Sequence, residues 1–292
     1  MHAVVLSYPG HFHQTQLSIK SLMKFYPETQ QITFVLDDIQ TEPWPSYVDD
    51  HVSAVSNLLT IPFEVLTTSQ MPDIKKCFSG WWRQQLVKLT LDRLVPGDQW
   101  FVVDGDVIFQ TRSDIQDTVP VSFRYQPDQN YSILSCNYVK TLLGISRGNL
   151  TCRGTAVGTN PIPFRWLTRD LLAGLRAHVE SRFGQEFVAM HLAWFRNQTI
   201  VYDCNPPTKL AISEWELIEC YRRFVLGIQL PFTEPGSGYP LYTEINDLKQ
   251  KQDIFLHSYL DDAEIDLTWL QQHLEVEPDT WVRSAEWLRY YQ

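Results

Sequence analysis

No pair of cysteines in this chain stands at C-x-x-C spacing. The five cysteines (Cys77, Cys136, Cys152, Cys204 and Cys220) are odd in number and scattered, which argues against both a thiolate zinc cluster and a disulfide framework. They read as free thiols, mostly in the core. Basic charge is short as well, with 24 Lys and Arg against 34 Asp and Glu for a net charge of −10. A chain without a basic stripe does not suit phosphate-backbone binding, so nucleic acid is not expected as a partner. No N-terminal h-region precedes the strand-like His2-Ala3-Val4-Val5-Leu6-Ser7, and no apolar run reaches membrane-spanning length. The expectation is a cytoplasmic protein with no membrane span. On that reading the sequons at Asn130, Asn149 and Asn197 are coincidental. There is no internal repeat and no low-complexity segment.

What the chain does have is a strand-helix alternation over most of its 292 residues, a length that buries a large core. A first strand ends near Ser7 and leads to a helical segment from Thr15 to Phe25. Gln31 to Leu36 is a second strand ending in Asp37-Asp38, Ser46 to Leu59 is amphipathic, and Pro62 to Leu66 is a third strand. Ser79 to Val95 reads as a helix stopped by Pro96-Gly97. Beyond Thr111 the pattern gives a strand at Val119 to Tyr125, helices at Pro163 to Phe183 and Ser213 to Val225, and a strand at Asp253 to Tyr259. Such alternation predicts an α/β fold with a mostly parallel central sheet flanked by helices. One domain over residues 1–260 is expected. Residues 261–292 form an acidic extension that also carries Trp269, Trp281, Trp287, Tyr290 and Tyr291. These predict C-terminal helices packed on the domain, or else an interface arm.

The stretch Phe101-Val102-Val103-Asp104-Gly105-Asp106-Val107-Ile108-Phe109 sets two carboxylates at i, i+2 among apolar β-formers. A buried run ending in an acid is the carboxyl end of a central strand, where open α/β sheets gather ligands. Two carboxylates there can hold one hard divalent cation with positions left for phosphate oxygens. Side chains alternate along a strand, so both acids reach one ion only if the chain turns between them, which Gly105 permits. A strand-end turn is the competing reading.

Three blocks, Gly80-Trp81-Trp82-Arg83-Gln84-Gln85-Leu86-Val87-Lys88-Leu89, Phe101 to Phe109, and Ser213-Glu214-Trp215-Glu216-Leu217, resemble in order and spacing a little-characterised family of bacterial and phage glycosyltransferases with the GT-A fold. The resemblance covers roughly residues 1–260. It implies a GT-A (nucleotide-diphospho-sugar transferase) fold and transfer of a sugar, from a UDP-hexose donor in the first instance, to a glycan or other hydroxyl acceptor. It also implies Mn²⁺ or Mg²⁺ on Asp104 and Asp106, with His257 in Phe255-Leu256-His257-Ser258 completing the metal shell. The glycine-lysine-proline-tryptophan continuation of family 8 retaining enzymes does not follow His257.

Each remaining candidate has two readings. Gln84 and Lys88 share a helix face and point either at a diphosphate or at solvent, while Arg83 forks a phosphate or a carboxylate. Tyr8 and Asp37, at the ends of the first two strands, either stack on a base and accept from uracil or ribose, or serve loop structure. Asn160 and Trp81 are assigned to the sugar. Glu214 is either the base that deprotonates the acceptor of an inverting enzyme or a first-turn acid complementing the helix dipole. Glu216 is the partner of Ser213 in a capping box, and otherwise a second candidate acid. His11-x-His13 is set aside as loop. Two other classes compete: a haloacid-dehalogenase-like phosphatase using Asp104 and Asp106, and a sugar-binding module without turnover.

Overall fold

A computed structural model describes residues 1–39, 44–77, 80–109, 138–145, 164–197, 200–201, 208–209, 214–228 and 255–256. Its centre is a five-stranded sheet of order β3-β2-β1-β4-β6. β1 (His2–Ser7), β2 (Gln31–Leu36), β3 (Phe63–Thr67) and β4 (Gln99–Asp104) run parallel, and β6 (Phe164–Thr168) closes the β4 side antiparallel. The expected mostly parallel central sheet flanked by helices is what forms.

Period-two alternation sorts the core onto two faces. Ala3, Val5, Ile32, Phe34, Phe101 and Val103 pack under α1 (Phe12–Phe25) and α2 (Tyr47–Ser56). Val4, Leu6, Val35, Trp100 and Val102 point the other way, onto α3 (Gly80–Leu89), α4 (Leu91–Leu94), α5 (138–143), α6 (Arg169–Phe183), α7 (Phe187–Asn197) and α8 (Glu214–Cys220). Both faces being covered explains why these strands are continuous apolar runs.

Two elements differ from the sequence reading. The expected helix over Pro163 to Phe183 is a strand, β6, followed by α6. The switch falls at Thr168, whose side chain accepts from Leu171 N–H at 3.3 Å as the N-cap. The expected helix from Ser79 to Val95 is two helices, because Thr90 leaves helical geometry and turns its hydroxyl onto the Leu86 carbonyl. The run from Phe101 to Phe109 is β4, a turn, and β5 (Ile108–Phe109), which pairs antiparallel with β9 (Phe255–Leu256). A further hairpin joins β7 (Ile200–Val201) to β8 (Thr208–Lys209). The α3–α4 corner is held by a buried bidentate pair from Arg176 to Asp92. Among the described residues no helix is long and apolar enough to cross a membrane.

Candidate functional site at the sheet switch point

From β1 the chain moves outward through β2 and β3, then returns to place β4 on the other side of β1. The strand order therefore reverses between β1 and β4, the place where loops diverge and open α/β sheets leave a crevice. Asp104, the last residue of β4, pairs in register with Leu6. Gly105 N–H then donates to the Leu6 carbonyl at 2.7 Å, and Val107 N–H donates to the Asp104 carbonyl at 3.1 Å. The chain thus turns between the two acids. A Cβ on Gly105 would lie 2.6 Å from Leu6 O and 2.7 Å from Thr15 Oγ1, so glycine is required here by close approach.

Lys88, in the last turn of α3, reaches under this turn. Its Nζ lies 2.7 Å from Asp104 Oδ1 and 2.7 Å from Glu214 Oε1. Hydrogen-bond geometry is met on the Glu214 side, whereas the Asp104 contact is an ion pair off the hydrogen-bond direction. Lys88 and Glu214 are buried, while Asp104 keeps 22% of its side chain exposed. The Lys88 ammonium sits over the Trp215 ring at 4.9 Å, and the Arg165 guanidinium, itself paired with Glu219, lies 5.4 Å from the same ring. Burial opposes the Lys88 charge, but the Asp104 and Glu214 carboxylates outweigh it and hold its pKa above the ordinary lysine value. Burial pushes the Glu214 carboxyl up, against the downward pull of Lys88.

Asp106 is buried on the β5 side of the turn, with its Oδ2 3.5 Å from His11 Nε2. His11 belongs to the 3-10 turn Pro9–His11 after β1, and its ring lies 4.0 Å from that of Tyr8. Tyr8 is half-buried over Gly10, where a Cβ would come within 2.6 Å of the ring. Tyr8, His11 and Asp106 therefore form one chain of contacts at the carboxyl ends of β1 and β4, next to the turn that carries Asp104. His11, set aside in the sequence as loop, is the residue that meets Asp106. The only signal for it was its metal-like spacing to His13.

Asp37 and Arg83 are brought together at the end of β2. Arg83 Nε and Nη2 donate to Asp37 Oδ1 and Oδ2 at 2.8 and 2.7 Å, and Nη1 donates to the Cys77 carbonyl at 2.7 Å. Thr68 Oγ1 adds a bond to Asp37 Oδ1 at 2.7 Å. Of the two partners open to the Arg83 fork, the carboxylate is the one taken. Both residues are buried and committed to each other. Gln84 is half-buried beside Arg83. Asn160 and His257 lie outside the described residues, as do Ser213 and residues 261–292, and nothing is described of the Trp81 and Glu216 side chains.

Among the described residues no group of three or more His, Cys, Asp or Glu side chains is poised for a metal ion. A divalent cation that takes its other oxygens from a diphosphate and water needs only one or two carboxylates. Asp104 and Asp106, hard-oxygen donors on either side of one tight turn, fit that requirement.

A family model with the description "Family of unknown function (DUF6492)" matches residues 6–272. No curated protein matches the chain. Among solved structures, the chain is similar to the galactosyltransferase LgtC in complex with donor and acceptor sugar analogs, at 12% identity over 64% of this chain and 66% of that one, with a TM-score of 0.36. It is also similar to the glycosyltransferase GlyE of Streptococcus pneumoniae TIGR4, at 12% identity over 99% of this chain and 63% of that one, TM-score 0.43. The bifunctional glycosyltransferase WbbM is similar at 9% identity over 99% and 50%, TM-score 0.42. The chain spans between half and two thirds of the length of these proteins.

Proposed function

The chain belongs to the DUF6492 family, and from its own geometry we propose that it moves a sugar from a nucleotide-diphosphate donor, a UDP-hexose, to a hydroxyl acceptor. The observation that carries this reading is the acid pair Asp104 and Asp106, set on a clamped glycine turn at the point where strand order reverses. That is where an α/β sheet receives a nucleotide, and paired carboxylates there suit the cation that accompanies a diphosphate.

Asp104 and Asp106 would hold Mn²⁺ or Mg²⁺. The cation, when bound, offsets the negative charge that develops on the departing nucleotide. His257, outside the described residues, is assigned as a further ligand on the strength of the sequence resemblance alone. Tyr8 offers a ring to the base. Asp37 and Arg83 frame the floor beneath the base rather than contact the donor, because both are buried and bonded bidentately to each other. Gln84, with Asn160 outside the described residues, is assigned to the donor. Glu214 takes the acceptor proton if the enzyme inverts, and its upward-shifted carboxyl supports that role over a surface dipole partner. Glu216 is assigned to helix capping. Residues 261–292 are proposed as a separate helical extension packed on a domain of residues 1–260.

The test is hydrolysis and transfer of UDP-hexoses, with and without Mn²⁺, beside turnover of a generic phosphomonoester. Mn²⁺-dependent loss of UDP-hexose that disappears in Asp104→Asn and Asp106→Asn is the expected result. Turnover of the phosphomonoester instead would establish the phosphatase reading, and EDTA-insensitive transfer would remove the metal from the scheme.

A further inference from the structure

Lys88 is held by two carboxylates of unequal access. Glu214 is buried and bonded to it in good geometry at 2.7 Å, whereas Asp104 keeps part of its side chain exposed and meets the same ammonium at 2.7 Å off the hydrogen-bond direction. The third side of the ammonium is the Trp215 ring, and Arg165 lies near the same ring. The only carboxylates within ion-pair distance of Lys88 among the described residues are thus Asp104 and Glu214. Asp104 is the more exposed of the two carboxylates, so a cation arriving from solvent meets it first. Two cations on one carboxylate repel, and the stem of Lys88 is flexible with rotatable donors.

On the reading that Asp104 and Asp106 hold a divalent cation, we propose that Lys88 is an internal competitor for Asp104, and that Glu214 is the carboxylate it retreats to when Asp104 is taken. Lys88 then links the two ends of the site. While Asp104 is free it shares Lys88 with Glu214. When Asp104 is engaged, Lys88 closes fully on Glu214 and fixes it at the N-terminus of α8. Lys88 is in this sense a positioning residue, acting on the reaction through Glu214.

The sign of the linkage is tested by Mn²⁺ binding alone, with free Mn²⁺ counted by electron paramagnetic resonance on the full chain. Lys88→Met removes the competing charge and is expected to tighten Mn²⁺ binding by about tenfold or more. Glu214→Gln removes the place of retreat, leaves Lys88 to Asp104 alone, and is expected to weaken binding. In the double variant the Glu214→Gln effect should vanish, because it acts only through Lys88. Lys88→Met leaves Glu214 buried without its counter-charge; should it fail to fold, the double variant lacks that uncompensated charge and should still bind more tightly than Glu214→Gln alone. Weaker or unchanged binding on loss of Lys88 would overturn the competition and make Lys88 a brace for Asp104. A folded wild-type chain that takes up no Mn²⁺ would instead remove the metal reading itself, and this proposal with it.

Discussion

Arg83 closes both arms of its guanidinium on Asp37, at 2.8 and 2.7 Å, inside the protein and 46 residues away along the chain. The contact ties α3 to the end of β2, and the third nitrogen ties the same helix to the Cys77 carbonyl. Removing one member of a buried pair strands the other, which typically costs about 3 to 5 kcal/mol. Arg83→Met should lose stability of that order in urea unfolding. Arg83→Met with Asp37→Leu should recover most of it, because both charges are then gone. A single variant as stable as the parent would mean that the pair is not holding the helix.

Gly105→Ala tests the turn that sets the two acids. Its Cβ would meet a backbone carbonyl oxygen of β1 at 2.6 Å, and that atom has no rotamer to escape into. Overpacking of this kind costs about 1 to 3 kcal/mol. The displaced turn should weaken Mn²⁺ binding more than the drop in thermal midpoint explains by itself. An alanine variant with parental midpoint and parental Mn²⁺ affinity would show that the close approach is not required.

The elements legible in the sequence were those whose signal is local. β1 and β2 were found to the residue because apolar runs of strand length end at Ser7-Tyr8-Pro9 and at Asp37-Asp38. Asp104-Gly105-Asp106 was found because acids at the end of an apolar strand are conspicuous. β6 was missed because Phe164-Arg165-Trp166-Leu167-Thr168 runs straight into α6, so the helical period swallowed it. The cap at Thr168 marks the break only when read as a start signal. α7 went unread; buried His191 lies within it, with its Nδ1 bonded to the Phe187 carbonyl at 2.7 Å. The bonds from Arg83 to Asp37 and from Lys88 to Glu214 join residues distant in sequence, and no spacing rule relates a helix face to a strand end that far away. Arg165 and Glu219, which back Trp215, were invisible for the same reason.

Two buried histidines predict an acid-sensitive fold. Burial lowers His51, boxed in by the rings of Phe12, Phe34 and Tyr47, and His191, against Phe187 and Tyr138, each to about 4. The unfolded chain takes up these protons near pH 6.5 and the folded one only near 4, so stability falls as pH drops through that window. Each site contributes up to about 3 kcal/mol of the loss by pH 4. His51→Phe should flatten the fall between pH 6.5 and 4.5 in urea unfolding curves. An unchanged slope would mean that His51 takes up its proton in the folded state as readily as in the unfolded one.

If the enzyme inverts, one carboxylate must accept the proton of the attacking hydroxyl, and loss of a general base typically costs about 10² to 10⁴ in rate. Glu214 faces Lys88 at the crevice end of α8, and burial raises its pKa. A base works only when deprotonated, so kcat should fall on the acid side as Glu214 takes up a proton. Glu214→Gln, assayed at saturating Mn²⁺ and donor, should lose transfer and the acid limb together. Glu216→Gln should instead loosen the start of α8 by about 0.5 to 2 kcal/mol and leave transfer near the parental rate. The two variants are compared by transfer rate across pH and by thermal midpoint, with the anomeric configuration of the product read by NMR. Retention of configuration, or an active Glu214→Gln enzyme beside a stable but inactive Glu216→Gln one, would move the base away from Glu214 and leave that residue only its hold on Lys88.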